Sequence, residues 1–344
     1  MIISNPGTLL PRRGVLALAL GVATTPGLAR AQETQWKPTR PINLIVPWAA
    51  GGATDQVLRV TAAELETLLG QTIVVIDQPG ASGAIGTRSA MDAPHDGYTW
   101  TGGAVTDLGS YETMGSLKTR LTDWNLYLTV TNVPVLCVAA SSPYKTVAEL
   151  IEAMRKRPNA ISVSTAGVSS SGHMAMDLVA AAAHITYRHV SYDGGNPAVV
   201  AAVSGEVNAT SQLAGEEAEM IRGKMLRPLA AIGSQPLTLS GFGTIPAISD
   251  VLPNFTAPPS FYGIFIPKGV PDQVTRTMDA IWQTKIVSSD ALKTFAGSRG
   301  ALFAPAYGEA AQKAAFPAVQ IAAWQMFDTG KAKVSPATVG IPKI

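Results

Sequence analysis

Five times along this chain a short apolar run ends in a loop of small residues, and the loop opens a helix. "PINLIVPW" runs into "AAGGATD", "TIVVIDQ" into "PGASGAIG", and "GYTWTGG" into "AVTDLGS". "AISVSTAG" runs into "VSSSGHMAMDLVAAAA", and "ITYRHVSYDGGN" into a segment with Pro197 in its first turn and Gly205 as its stop. Helical spacing is clearest after the first loop, where Val57, Leu58, Leu65, Leu68 and Leu69 form a stripe that Gly70 can end. Strands alternating with helices predict parallel α/β sheets. In such sheets ligands gather at the carboxyl ends of the strands, and all five loops fall there. A tight turn needs glycine in any case, so one such loop says little; the repetition carries the argument.

The chain has 344 residues, 47% hydrophobic and 15% charged, which suits a globular protein of about two domains. Its net charge of +2, without a long basic run, gives no footprint for a nucleic acid. The first 31 residues read as a secretory signal. Arg12 and Arg13 form the positive end, Val15 to Ala23 an apolar stretch too short to span a bilayer, and Ala29 to Ala31 a cleavage site before Gln32. General secretion is favoured over the twin-arginine route, since paired arginines are common in ordinary signals. The address is the periplasm. Cys137 is the only cysteine, so it forms no internal disulfide and no cysteine-rich metal site; within "VPVLCVAA" it reads as a core residue. His184 and His189 flank a strand without a partner at metal spacing. No metal and no cofactor are expected.

Two strand-like stretches stand apart from the repeat, "VPVLCVAA" and "SFYGIFIPKG". If each crosses between two lobes, they form a hinge, and the expected division is 36–132 plus 262–344 for one lobe and 133–261 for the other. Thr146 and Glu149 make a capping-box spacing for a helix closed by Pro158. A last helix is expected near Glu309 to Phe327, kinked or divided at Pro317.

"RPINLIVPWAAGGATD", "VIDQPGASGAIGT", "APHDGYTW", "SSSGHMAMDL" and "HVSYDGGNPAVVAAVSGEVN" together resemble the Bug/TctC family, in order and over essentially the whole mature chain. Those proteins are periplasmic solute receptors of tripartite tricarboxylate transporters. The resemblance implies a type II periplasmic-binding-protein fold, two lobes that close on a small carboxylate, and a large and a small integral membrane protein as partners. A monomer is expected. The chain departs from the family where Gln78 and Asp193 replace frequent Arg and Lys, and where "EVNATSQL" puts Thr210 and Gln212 where an acid is frequent. These changes weaken the case for a highly charged tricarboxylate.

Carried over by position, the cleft walls are Trp48, Ala49, Ala50, Gly51, Gly52, Ala53, Thr54 and Asp55, then Gln78, Gly80, Ala81 and Ser82, in one lobe. Thr106 ends the third strand on the same side. The other lobe gives Thr165, Gly167, Ser169, Ser170, Ser171, Gly172 and His173, with Tyr192, Asp193, Gly194 and Gln212. No arginine lies in these loops, so backbone amides and hydroxyls are the expected anion donors. Charge-assisted hydrogen bonds contribute about 1.5–3 kcal/mol each, and micromolar binding needs about 8 kcal/mol. Several residues carry a second reading. Asp55 serves as a helix-dipole residue or holds a ligand-linked water. His173 donates to ligand or caps and packs. Asp193 pairs with a ligand amino group or sits in a solvated turn, and Trp48 covers the ligand or packs between lobes. Two other functions fit the same chain: a sensing module that presents its cleft to a sensor kinase, and an exported hydrolase. The latter lacks a G-x-S-x-G elbow, a P-loop and H-E-x-x-H.

Overall fold

The computed structural model describes residues 35–343; the expected secretory signal, residues 1–31, lies outside the described residues. The first sheet begins with β1 (Ile42–Val46), followed by α1 (Ala53–Leu69), β2 (Ile73–Asp77), α2 (Ala84–Met91), β3 (Thr99–Ala104) and α3 (Val105–Met114). β4 (Trp124–Asn132) passes through Val133 into β5 (Pro134–Ala139), which belongs to the second sheet. There follow α4 (Val147–Lys156), β6 (Ser162–Thr165), α5 (Ser171–Ala183), β7 (Arg188–Ser191) and α6 (Gly195–Ser204). β8 (Ala209–Leu213), α7 (Ala214–Arg222) and β9 (Leu226–Ala231) complete that sheet, and β10 (Leu237–Leu239) with β11 (Gly243–Ile245) forms a small hairpin. The chain then returns through β12 (Ser260–Pro267), α8 (Asp272–Thr284), α9 (Asp290–Arg299), β13 (Ala301–Tyr307) and α10 (Gly308–Asp328).

The strand orders are β13-β4-β12-β3-β1-β2 and β7-β6-β8-β5-β9. The expected parallel pairing holds for β2, β1 and β3 in the first sheet and for β7, β6 and β8 in the second. The remaining strands are antiparallel. Strands entering from the other sheet run against the βα repeat, a direction that local periodicity does not encode. The two expected crossings also move. "VPVLCVAA" lies in the second sheet and crosses only at Val133, whereas β12 lies wholly in the first sheet and the returning link is the stretch that ends in Pro258 and Pro259.

Both sheets are covered on both faces, and their strands show it in alternation. In β1, Leu44 and Val46 pack with Trp100 and Trp282 on one face, while Ile45 packs with Leu108 and Trp124 on the other. In β5, Leu136 and Val138 join one core and Val135 and Cys137 the opposite one. Cys137 is fully buried, and its thiol donates to Glu217 Oε2 at 3.1 Å. α1 stops at Gly70, whose φ of 65° places it in the left-handed region. α10 stays one helix through Pro317.

At the centre of the first sheet β3 and β12 meet with Gly102 opposite Ile264 and Gly103 opposite Gly263. A Cβ on Gly263 would land on the Tyr127 carbonyl and 2.6 Å from Leu128 Cα, both backbone of β4. Neither can move aside without breaking the ladder. Gly263→Ala is therefore expected to lower stability in urea denaturation by about 1–3 kcal/mol or more; an unchanged midpoint would show that the sheet yields at this position.

Candidate functional site

The carboxyl ends of the parallel strands in the two sheets face each other across a narrow cavity of about 30 Å³. That is room for one or two waters, so the walls stand close together. The first loop contributes Trp48, Ala49, Gly52, Ala53 and Thr54. Facing it are Ser170, Ser171 and Gly172, with Gly194 and Gln212 beside them. The loops touch. A Cβ on Gly194 would stand 2.7 Å from Ala49 Cβ, one on Gly51 2.7 Å from Asn196 Nδ2, and one on Gly167 3.1 Å from Ser82 Oγ. A small apolar cluster of Ala53, Val57, Leu213 and Tyr262 joins the two sides.

The caps of the helices leave backbone donors in these loops. α1 is capped by Gly52 and α6 by Gly194, and neither has a side-chain cap. The first amides of a helix have no partner inside it. At α1 the need is met from the other side of the cleft: Ala53 N–H donates to Glu216 Oε1 at 3.0 Å. Glu216 is also the third residue of α7, where its Oε2 accepts from Leu213 N–H at 3.3 Å. The Gln212 amide, oriented to suit its neighbours, donates to the same Oε2 at 3.0 Å and accepts from Ala166 N–H at 2.8 Å. Gly195 lies so close that a Cβ there would overlap the carboxylate. One side-chain anion thus sits where helix N-termini from both sides converge. Burial raises its pKa, and the two amide bonds oppose the rise.

Asp107, in the first turn of α3, is the second acid in the wall. It is 3% exposed. Its Oδ2 accepts from Trp48 Nε1 at 3.1 Å, while Oδ1 is buried with no partner. Burial pushes its pKa up to about 7, and the Trp48 hydrogen bond only partly offsets this. Tyr262 closes the floor, its hydroxyl 2.9 Å from Ser171 Oγ. No lysine, arginine or histidine is among the wall residues.

Other expected site residues face elsewhere. Asp55 folds back on its own loop, accepting from Gly51 N–H at 2.7 Å and pairing with Arg59 at 2.5 Å. Ala50 is exposed. Gln78 is held by its main chain to Val46 O at 2.8 Å; it, Gly80 and Ala81 lie outside the wall, and Ser82 meets Gly167. Thr106 points into a different cavity, beside Asn132 and Gln325. Thr165 Oγ1 is paired with His189 Nε2 at 2.6 Å, and Ser169 is buried beside the wall. His173 caps nothing in the cleft. Its Nδ1 is bonded to Val168 O, its ring stacks on His189 at 3.8 Å, and Nε2 lies 2.9 Å from Lys331 Nζ. Burial lowers its pKa, and a neutral ring suits the facing ammonium. Tyr192 donates to Glu206 at 2.6 Å, and Asp193 is exposed.

Sequence reasoning missed Asp107, Ala166, Gly195, Leu213, Glu216 and Tyr262. The signal for both acids was present. Each is a first-turn acid after one of the strands, the kind of position read for Asp55 as helix-dipole chemistry or a ligand-linked water.

Two α/β lobes enclosing a cleft walled by helix N-termini define a solute-binding protein. The profile for the tripartite tricarboxylate transporter family receptor, TctC, matches residues 57–327, and this chain belongs to that family of periplasmic solute-binding receptors. It is 31% identical over 290 residues to a UPF0065 protein from the tcbD–tcbE intergenic region of Pseudomonas sp. strain P51, covering 82% of this chain and 84% of that one. A solved structure of a periplasmic transporter is 25% identical with a TM-score of 0.74, covering 87% and 99%. Rpa4515 of R. palustris, solved with adipate, is 26% identical with a TM-score of 0.72, covering 89% and 99%. Among the described residues no helix is long and apolar enough to cross a membrane, and no group of three or more His, Cys, Asp or Glu is placed to hold a metal.

The raised pKa of Asp107 has a consequence for stability. Its folded value, about 7, lies above the ordinary aspartate value of 3.8. Between these the folded state holds a proton the unfolded chain has lost. Stability is therefore full below about pH 4 and falls as pH rises to about 7, by up to about 1.4 kcal/mol per unit. Asp107→Asn removes this dependence. Its stability relative to the parent should improve by about 2–3 kcal/mol between pH 5 and pH 8 in urea melts; a constant difference would mean Asp107 ionises as an ordinary carboxylate.

Proposed function

We propose that this protein is a periplasmic receptor that captures a small carboxylate between its lobes and delivers it to a membrane transporter, without catalysis. The lobes are 36–132 plus 262–344 and 133–261; sheet membership on either side of Val133 supports the first boundary, while Ser260 and Phe261 already pair with β4 in the first sheet. Export runs through the general secretory route, and the partners are a large and a small integral membrane protein. The observation that carries the reading is Glu216: main-chain amides from α1 and from the start of α7 already engage a carboxylate in the cleft. Further donors stand free of helical partners. The amides of Ser171 and Gly172 are the first two of α5, and Ser170 spends its own side chain on His173 N–H at 3.3 Å. The hydroxyls of Thr54, Ser171 and Tyr262 lie in the same wall. A ligand carboxylate received on Thr54, Ser171 and Gly172 touches both lobes and so favours the closed form. Rpa4515, of similar fold and 26% identical, was solved with adipate, a ligand of this class.

A thermal-shift panel of small carboxylic acids, each paired with its amide, tests the proposal. A bound acid at about 100 times its dissociation constant adds roughly 2.7 kcal/mol of stability, and its amide should add far less. Amides that work as well as acids would remove the anion from the reading.

A further inference from the structure

The wall of the cleft holds two carboxylates and no cation, and the two are not in the same condition. Both oxygens of Glu216 are engaged by N–H donors. Asp107 also lines the cavity; it is 3% exposed, and its buried Oδ1 has no donor. A buried carboxylate oxygen needs a proton or a positive partner, and the wall residues include no Lys, Arg or His to supply one. The titratable groups that face Asp107 are Tyr111 on its own helix and Tyr262 on β12, with Glu216 lining the same cavity from α7. Burial holds both tyrosines well above their ordinary range, so they keep their protons. Below about pH 7 the Asp107 proton itself meets the need; above it, the missing donor has to come with the ligand.

We propose that the cleft selects a ligand carrying a protonated amine as well as a carboxylate, and that Asp107 is the residue that recognises the amine through its free Oδ1. This rests on the carboxylate-receptor reading above. An ammonium brings three donors and a full positive charge, and it forms a charge-assisted hydrogen bond with an acceptor already desolvated and held in place by Trp48. The same ligand's carboxylate goes to the hydroxyls and amides of Thr54, Ser171 and Gly172, so the charges are matched at both ends. A diacid of the same length places a second anion against Asp107, with Glu216 in the same wall, and like charges in a low-dielectric site repel. The ligand class is thus a small zwitterion, an amino acid in the broad sense.

Calorimetric titration of the mature protein with matched pairs tests this: 4-aminobutyrate against glutarate, 5-aminopentanoate against adipate, and β-alanine against succinate, at pH 6 and pH 8, with butylamine as a carboxylate-free control. The expected result is an amino acid that binds at least tenfold tighter than its matched diacid at pH 8. Its affinity should rise about tenfold from pH 6 to pH 8 as Asp107, titrating near 7, loses its proton. Asp107→Asn, which keeps an acceptor for Trp48, should melt as a folded protein and lose the preference. A diacid that equals its partner at pH 8, an affinity that falls as pH rises, or an Asp107→Asn protein that keeps the preference overturns the amine assignment and leaves the carboxylate receptor standing. The wild-type pH profile decides even if that variant misfolds. Butylamine binding as well as the amino acids overturns the carboxylate reading instead, and silence from every probe overturns both.

Discussion

A helix that begins on glycine leaves its first amides for something else to satisfy. α1, α2 and α6 all begin this way, at Gly52, Gly83 and Gly194, with no side-chain cap. Solvent could meet that need, but the sheets bring two of these helix starts, together with those of α5 and α7, to one cavity. There the amides become a shared electrostatic feature of the cleft rather than isolated helix ends. The rest of the site follows from this constraint: small residues where loops meet, hydroxyls in place of arginines, and a resident carboxylate as the group that completes the donors. Gly195 shows how tightly the arrangement is drawn, since a single methyl there would displace the Glu216 carboxylate.

Much of the architecture was legible because it is local. The alternation of Leu44, Ile45 and Val46 marks a strand buried on both faces, Gly70 marks a helix end, and both are as read. Strand direction was not legible for β12 and β13, because their direction depends on where the chain returns from, not on their own side chains. The site was legible in its loops and opaque in its charges. Gly52 and Ser171, from the repeated loops, and Gln212, from the family resemblance, line the cavity. Asp107 and Glu216 were passed over because a first-turn acid has an adequate local explanation in the helix dipole. Only the tertiary arrangement puts each of them beside the opposing lobe or without a partner.

Of the two readings of His173, ligand donor or packing residue, the geometry favours packing: α5 turns its ring onto His189 and toward Lys331, in the segment after α10. Asp177 completes that cluster, 2.5 Å from Lys331 Nζ. These groups join the second lobe to the C-terminal segment, and Gln325 of α10 adds a bond to Met174 O at 2.7 Å. The helix that offers its N-terminal amides to the cleft is therefore steadied by side chains on its outer flank.

The bond from Ala53 to Glu216 spans the cleft. A carboxylate that came to the same amide would trade places with the one already there. Its gain would be the difference between two hydrogen bonds, not the whole of one, so affinity at this end of the cleft is set as much by how firmly Glu216 is held as by the newcomer.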